Sequence, residues 1–473
     1  MVASLTDKQK SQLIQQNHLD HSDIYPRLDF VQRHQATEAE QQRHDLIMQT
    51  LAGGGLNSCC ETKPHTRQLS PGCRLCVEGS WSCLFVNGRC NLSCFYCPSS
   101  QDDIGEPTTN NLSFSSADHY LAYLKHFGFR GFSLSGGEPL LTLERSLDYL
   151  LTAKKHFGDK IHSWIYTNGS LVTRDMLARL HDCGLDEIRF DIGALDYSLD
   201  KALLAVGQIP TVTIEIPAVP EEKERLKTAL IQMADGGVNF LNLHQLRLTS
   251  YNYRHFRDRP YTYLHGEKVT VLESELAALE LLKYAQDDQL ELPINYCSFV
   301  YKNRYHKVAA RSRGAADMGK GHEQVTAAGY LRSCSVKAAS QLLQPAIARL
   351  DVFDPALWSR TPGGDQIYFA ASLWPQLNAN NNDLSVQLDY AETRVGGALS
   401  YRHPFREIKM PGGGKIAIER AQVGSFTLTP EQSHHYFNTL ATIAHNADNC
   451  DIVNLPKEVL PFEQMEKGLP AYF

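Results

Sequence analysis

Residues 82–100, Ser-Cys-Leu-Phe-Val-Asn-Gly-Arg-Cys-Asn-Leu-Ser-Cys-Phe-Tyr-Cys-Pro-Ser-Ser, constrain this chain more than any other stretch. Within them Cys90, Cys94 and Cys97 follow the spacing C-x3-C-x2-C, directly after the apolar run Leu84-Phe85-Val86, which reads as a buried strand. Three thiolates on one short loop suit three irons of a cubane cluster and leave the fourth iron open to a small molecule. Such a cluster can act as a catalyst as well as an electron store. A zinc knuckle lacking its fourth ligand, or a set of unrelated buried thiols, are the alternatives that spacing alone leaves standing.

The chain of 473 residues is long enough for one large domain and one or two smaller ones. A net charge of −7 gives no electrostatic reason to bind nucleic acid or an acidic lipid surface. The first ten residues are polar, without the apolar core of a signal peptide, and no stretch reaches the apolar length of a membrane span. The expectation is therefore a cytoplasmic protein with no membrane or nucleic-acid partner. In that compartment thiols stay reduced, and clustered cysteines bind metal more often than they pair.

Residues 1–57 read as a helical N-terminal extension. Thr37 and Glu40 are expected to form a capping box, with the following helix stopped by Gly53-Gly54-Gly55. From 82 to 310, short apolar runs alternate with amphipathic segments, the pattern of a parallel α/β domain. Strands are expected at Leu84–Val86, Gly131–Ser135, Ile161–Thr167, Glu187–Asp191, Thr211–Pro217 and Asn239–Leu246, with another at Ile294–Tyr301. Helices are expected at Ser116–Phe127, Leu143–Phe157, Thr173–Cys183, Glu221–Asp235 and 270–288. Six strand–helix units suit a partial (β/α)6 barrel of TIM-like type, in which chemistry sits at the C-terminal ends of strands. Residues 311–339 read as a helical linker and 340–473 as a small α+β domain, with strands at Asp365–Leu373, Leu384–Leu388 and Lys415–Leu428, a polar turn at Asn378–Asp383 and a helix at Thr429–Asn446.

Two further features carry chemistry. Ser135-Gly136-Gly137-Glu138-Pro139 ends the second strand, and its paired glycines allow the backbone to approach a ligand closely. A plain strand-to-helix turn is the alternative reading. Cys59, Cys60, Cys73 and Cys76 crowd the segment 58–81, with Cys83 close behind, and Cys73-Arg-Leu-Cys76 has the C-x2-C form of a metal knuckle. An auxiliary iron–sulfur cluster, a structural zinc site and plain thiols all remain open for this group, with Cys297 and Cys334 as more distant ligands. Cys297 has two further readings, a radical donor facing the barrel or a buried inert thiol.

Taken together, Cys90, Cys94 and Cys97, the aromatic Tyr96 before the third Cys, and Gly136-Gly137-Glu138-Pro139 resemble the radical S-adenosylmethionine (radical SAM) superfamily. The resemblance implies a partial barrel and a [4Fe–4S] cluster whose open iron chelates the amino and carboxylate groups of SAM. It also implies reductive cleavage of SAM to a 5′-deoxyadenosyl radical that abstracts hydrogen from substrate, with the electron drawn from a flavodoxin- or ferredoxin-type donor. On this resemblance Gly136, Gly137 and Glu138 meet the methionyl amino group. Thr167 and Asn168 hydrogen-bond SAM, Arg189 suits its carboxylate, Asp191 its ribose, and Glu215, near Pro217, occupies the adenine and ribose position. Arg189 and Asp191 read equally well as salt-bridged residues of the barrel interior. Asn242, His244 and Gln245 end the sixth strand, where His244 reads as structural or as a substrate contact.

Over residues 72–310 the chain looks closer to one group within the superfamily, described as related to the pyruvate formate-lyase activating enzyme. The matching elements include Gly72-Cys-x-x-Cys76-x-x-Gly79, Cys94-Phe-Tyr-Cys-Pro98, Ile214-Glu-Ile-Pro-Ala218 and Tyr296-Cys-Ser298. That group tends to have Gly-Gly-Asp-Pro where this chain has Gly-Gly-Glu-Pro, a change that keeps the acid. This match bears on fold and cofactor and leaves the substrate open; a peptide or protein side chain is the expected substrate by analogy with peptide-modifying members that carry auxiliary clusters. A small-molecule substrate, a glycyl-radical enzyme as the activated partner, and a non-catalytic redox or scaffold protein are the competing readings.

Overall fold

Apolar strand residues that cannot face water dictate the centre of this fold, and they do so in a sheet of mostly parallel strands. The computed structural model describes residues 7–378, 384–397, 401–411, 414–443 and 455–473. Two compact units result, the first running to Tyr305 and taking in Gly468–Phe473, the second spanning His306–Lys467.

In the first unit seven parallel strands lie side by side in sequence order: β1 (Trp81–Asn87), β2 (Gly131–Gly136), β3 (His162–Thr167), β4 (Glu187–Phe190), β5 (Thr211–Pro217), β6 (Phe240–His244) and β7 (Ile294–Cys297). Short antiparallel pieces extend both edges, Lys63–His65 beside β7 and Thr108–Thr109 beside β1. Each crossover is helical, at Ala117–His126, Leu143–Phe157, Arg174–Asp182, Asp200–Ala205, Lys223–Asp235 and Leu272–Asp287. Strand residues of one parity, such as Leu134, Ile165, Ile188, Ile214 and Leu243, are fully buried under these helices. The other parity carries Ser133, Glu187, Arg189, Thr213, Glu215 and Asn242, so the interior is a polar network.

The six expected strands and the expected helices are present, and the seventh segment is a strand as far as Cys297. From Phe299 it turns into the helix Phe299–Met318. The expected capping box at Thr37 and Glu40 does not form. The helix starts earlier, at Arg33, where Gln32 and Gln35 cap each other reciprocally. Thr37 instead donates to the Arg33 carbonyl within the helix, at 3.2 Å, while Glu40 accepts the backbone N–H of Tyr472 at 2.7 Å. The Tyr472 ring lies 4.2 Å from the Arg43 guanidinium and its hydroxyl donates to Glu275, so the last six residues pack in the first unit instead of the C-terminal domain.

The second unit is an antiparallel sheet in the order Trp358–Arg360, Gln366–Phe369, Leu331–Lys337, Val386–Gly396, Lys415–Leu428, Phe405–Lys409. Leu343 and Ile347 of Ser340–Leu350 and Tyr436 and Phe437 of Pro430–Ile443 share its apolar core. Residues 311–339, expected as a linker, supply Leu331–Lys337, which is paired on both sides. Its Arg and Ser residues disguise a central strand, because Arg332 is neutralised by Glu463 at 2.6 Å and can be buried. Residues 379–383 of the expected polar turn and 444–446 of the expected helix lie outside the described residues. Among the described residues, no helix is long and apolar enough to cross a membrane.

Candidate active site

The cysteine loop leaves the C-terminal end of β1 and is fastened to the ends of three neighbouring strands. Asn87, the last residue of β1, donates from Nδ2 to the Glu138 carbonyl at 3.0 Å and to Thr142 at 2.9 Å, while its Oδ1 accepts the Arg89 N–H. The Gly137 N–H donates to the Asn87 carbonyl and the Glu138 N–H to the Arg89 carbonyl, at 3.0 and 2.7 Å. Glycine is required here on two counts. Gly136 has φ +129°, and a Cβ on Gly137 would sit 2.0 Å from the Arg89 carbonyl oxygen. The close approach expected of this Gly-Gly pair is thus made to the start of the cysteine loop, and the Gly137 and Glu138 N–H groups are consumed there.

The Glu138 side chain is fully buried and points back into the protein. Its carboxylate accepts the Leu140 N–H at 3.0 Å, the Thr167 hydroxyl at 2.9 Å and the Asn168 N–H at 2.7 Å. Burial raises its pKa above the usual value, and these three donors work against that shift. Glu138 and Thr167, expected to contact SAM, are bonded to each other and knit β2 to β3, with Pro139 buried at the start of the following turn. Asn168 holds the loop itself. Its Nδ2 donates to Asn91 at 3.0 Å and lies 3.5 Å from the Cys90 sulfur.

A third fastening comes from Tyr96, whose hydroxyl donates to both Asp191 oxygens, at 2.8 and 3.0 Å. Burial pushes Asp191 up to about 6, against the hydrogen bonds from Tyr96 and from the Gly193 and Ala194 N–H groups. Asp191, expected at a ribose, is engaged by this anchor. Cys94 and Cys97 interact electrostatically with Cys90, and burial pushes the Cys94 thiol up to about 12 and Cys97 upward. Thiols so placed stay neutral until a cation draws off the proton, which is the chemistry of a metal-ligating set.

Arg189 and Glu215 are bonded to each other in the barrel interior. Arg189 is 3 % exposed, with Nε 2.9 Å from Glu187 Oε1, one terminal nitrogen 2.6 Å from Glu215, and the other 3.2 Å from Ser70. Glu215 also accepts from Asn242 at 3.0 Å. The expected carboxylate and ribose partners are a buried ion-pair network, because each charge inside the barrel needs an opposite one. Gln245 donates to the Val271 carbonyl, a structural contact.

The second cysteine group is rearranged relative to expectation. Cys73 and Cys76 sit one turn apart on the short helix Pro71–Val77, not on a loop. Cys73 faces the charged barrel interior near Arg189 and Glu187. Cys60 is not a free thiol, which removes it from the expected ligand set. Cys334 is buried in the core of the second unit. What does converge is Cys59, Cys76 and Cys297, all three interacting with the Tyr301 hydroxyl, which donates to Cys76 at 3.2 Å. Lys63 is buried beside them, with Nζ 2.7 Å from Asn295 Oδ1 and 4.5 Å from the Tyr301 ring centroid, and Cys297 and Cys76 among its electrostatic partners. Cys59, Cys60 and Glu61 all have φ between 51 and 61°, a strained left-handed run of non-glycine residues. Among the described residues, no three His, Cys, Asp or Glu side chains stand at the spacing of a single shared metal ion, the Cys90 loop included.

Composition and spacing had missed Asn87, Asn91, Lys63, Arg247 and Lys302. Asn87 was legible as the polar end of an apolar strand; the cations follow no motif. Arg247 lies 5.6 Å over the Phe299 ring and near Cys97, and burial pulls its guanidinium below its usual pKa. His244, which feels both Arg247 and Lys302, is pushed down to about 3, mainly by burial, and is neutral.

The family model of the radical SAM superfamily matches residues 84–228. A protein of Methanocaldococcus jannaschii with the provisional name of a glycyl-radical enzyme activating enzyme is 30% identical over 277 residues, covering 56% of this chain and 72% of that one. A GTP 3′,8-cyclase of Nitrobacter hamburgensis is 28% identical over 35% of this chain, which spans just 47% of that enzyme. The solved structure of Streptococcus suis SuiB bound to precursor peptide SuiA aligns with a TM-score of 0.36 at 13% identity, over 46% of this chain and 48% of SuiB.

Proposed function

Because this chain belongs to the radical SAM superfamily, and so is an enzyme using a [4Fe–4S] cluster and SAM, we propose that Cys90, Cys94 and Cys97 ligate the cluster. The observation that carries this assignment is the triple fastening of their loop: Asn87 and the Gly136–Glu138 turn at one side, Asn168 at Cys90, and Asp191 through Tyr96. Cys94 and Cys97 fit such a group, since burial keeps their thiols protonated until a cation is present. When bound, the cluster would supply the electron for reductive cleavage of SAM and so the means of abstracting hydrogen from substrate. The chain's own residues do the positioning. Glu138 fixes the β2–β3 turn, Asn168 orients the Cys90 end of the loop, and Tyr96 with Asp191 holds its Cys97 end against β4.

The hydrogen donor in this reading is a polypeptide, reduced-cluster electrons coming from a flavodoxin- or ferredoxin-type protein. The name carried by the Methanocaldococcus relative supports a protein substrate, including a glycyl-radical enzyme as the partner. The name of the Nitrobacter relative favours the second reading, a small-molecule substrate. We also assign a second iron–sulfur centre to Cys59, Cys76 and Cys297. The buried Lys63 ammonium favours an anionic metal–thiolate group there, since among the described residues no carboxylate pairs with it.

Anaerobic reconstitution followed by SAM and dithionite tests the core assignment. The wild type should release 5′-deoxyadenosine, and the Cys90, Cys94 and Cys97 triple Ala variant should stay folded and release none. Cleavage persisting in that variant overturns the ligand set. Cys76→Ser with Cys297→Ser should lower iron and sulfide without abolishing SAM cleavage, and unchanged iron would remove the second centre.

A further inference from the structure

The ends of β1 to β4 are occupied by the anchors of the cysteine loop, which leaves the β6–β7 side of the barrel mouth for substrate. Two cations stand there. Arg247 follows β6 by three residues and Lys302 follows β7 by five, both past the C-terminal ends of strands, where parallel barrels place their chemistry. Arg189 and Lys154, cations of the same barrel, are each bound to a carboxylate within 2.6 Å. Arg247 and Lys302 differ from them. Among the described residues the Arg247 guanidinium forms no ion pair with a carboxylate; it lies over the face of Phe299, near Cys97 and the neutral His244. Lys302 lies near Glu215 and His244 without an ion pair, and the Glu215 charge is already committed to Arg189. His244 is neutral and offsets neither.

A half-buried guanidinium without an acceptor is costly unless something supplies one, and its planar fork suits a carboxylate. We propose that Arg247 and Lys302 together seat a carboxylate of the polypeptide substrate, from an Asp, a Glu or a chain terminus. This assignment rests on the polypeptide reading above and deepens it, by naming the group that holds the substrate beside Cys97. Arg247 would fix the direction of the carboxylate through two parallel hydrogen bonds, and Lys302 would add a point charge.

The test uses reconstituted, SAM-loaded protein under anaerobic conditions, with acetate as the probe and chloride at equal ionic strength as the control. Acetate should raise the thermal unfolding midpoint saturably in the wild type. Arg247→Gln and Lys302→Met should each weaken its apparent affinity about ten-fold, equivalent to about 1.4 kcal/mol. SAM affinity, read from the change SAM causes in the electron paramagnetic resonance spectrum of the reduced cluster, should move by less than about two-fold, well under 1 kcal/mol. Arg247→Lys should keep part of the acetate effect, which a merely structural Arg would not show. The proposal is overturned if acetate has no effect on the wild type or acts equally on the variants. It is also overturned if Arg247→Gln weakens SAM binding about ten-fold, which would assign the cation to the cofactor. Phosphate acting where acetate is inert would overturn it in favour of a phosphorylated small molecule. Absence of iron in the wild type would instead sink the cluster assignment, and the acetate titration would still be readable.

Discussion

Replacing Glu187 by Gln tests whether Arg189 is a structural cation. Glu187 is fully buried and accepts from Arg189 at 2.9 Å, from Thr213 at 2.9 Å and from the Gly72 N–H at 3.0 Å, with His162 Nε2 also 3.0 Å away. Burial alone would push this acid up, but Arg189 and the hydrogen bonds win and bring it from 4.5 down to about 2. A carboxylate depressed in the folded state stabilises the fold above its unfolded pKa and loses that contribution as pH falls through the folded one. The shift corresponds to about 3 kcal/mol at neutral pH, of which about 2 kcal/mol should vanish between pH ~6 and pH ~3. Removing one member of a buried pair costs about 3 kcal/mol on independent grounds, with Glu215 left to Arg189. Urea unfolding of the metal-free protein, followed by circular dichroism at both pH values, gives the wild-type minus Glu187→Gln difference. That difference should be about 3 kcal/mol near pH ~6 and should shrink by about 2 kcal/mol at pH ~3. A difference that is the same at both pH values would refute the claim that Glu187 carries this charge for Arg189.

Gly137→Ala should lose iron while keeping native circular dichroism, because its Cβ would meet the Arg89 carbonyl at 2.0 Å and drive the cysteine loop outward. Tyr96→Phe removes the donor to both Asp191 oxygens and should destabilise the loop by about 1.5–3 kcal/mol, seen as faster cluster loss to a chelator. Lys63→Met should lower iron at the second centre and leave 5′-deoxyadenosine release intact, whereas unchanged iron would detach Lys63 from that centre. In the second unit Glu463→Gln breaks the buried pair with Arg332, at 2.6 Å, and should cost about 3 kcal/mol in an unfolding transition.

The sequence by itself determined the chain's family and the order of its main elements. Three cysteines at C-x3-C-x2-C after a strand, and Gly-Gly-Glu-Pro after the next, are local patterns, and local patterns survive in one dimension. So do the apolar runs that became β1 to β7, because strand burial writes itself into consecutive residues. Tertiary structure decided what the polar residues between them do. Arg189, Glu215 and Asp191 carry the residue types a cofactor site needs, yet a barrel interior of low dielectric obliges each polar group to find a partner, and apart from Glu187, two residues from Arg189, those partners lie 26 to 119 residues away. The same distance problem left Cys297 as one of two distant candidates beside Cys59 and Cys76, until β7 pairing with Lys63–His65 brought it there, and hid Leu331–Lys337 as a strand whose buried arginine meets Glu463 131 residues on. Spacing along the chain fixes which atoms are present; the folding of the sheet fixes which of them engage one another.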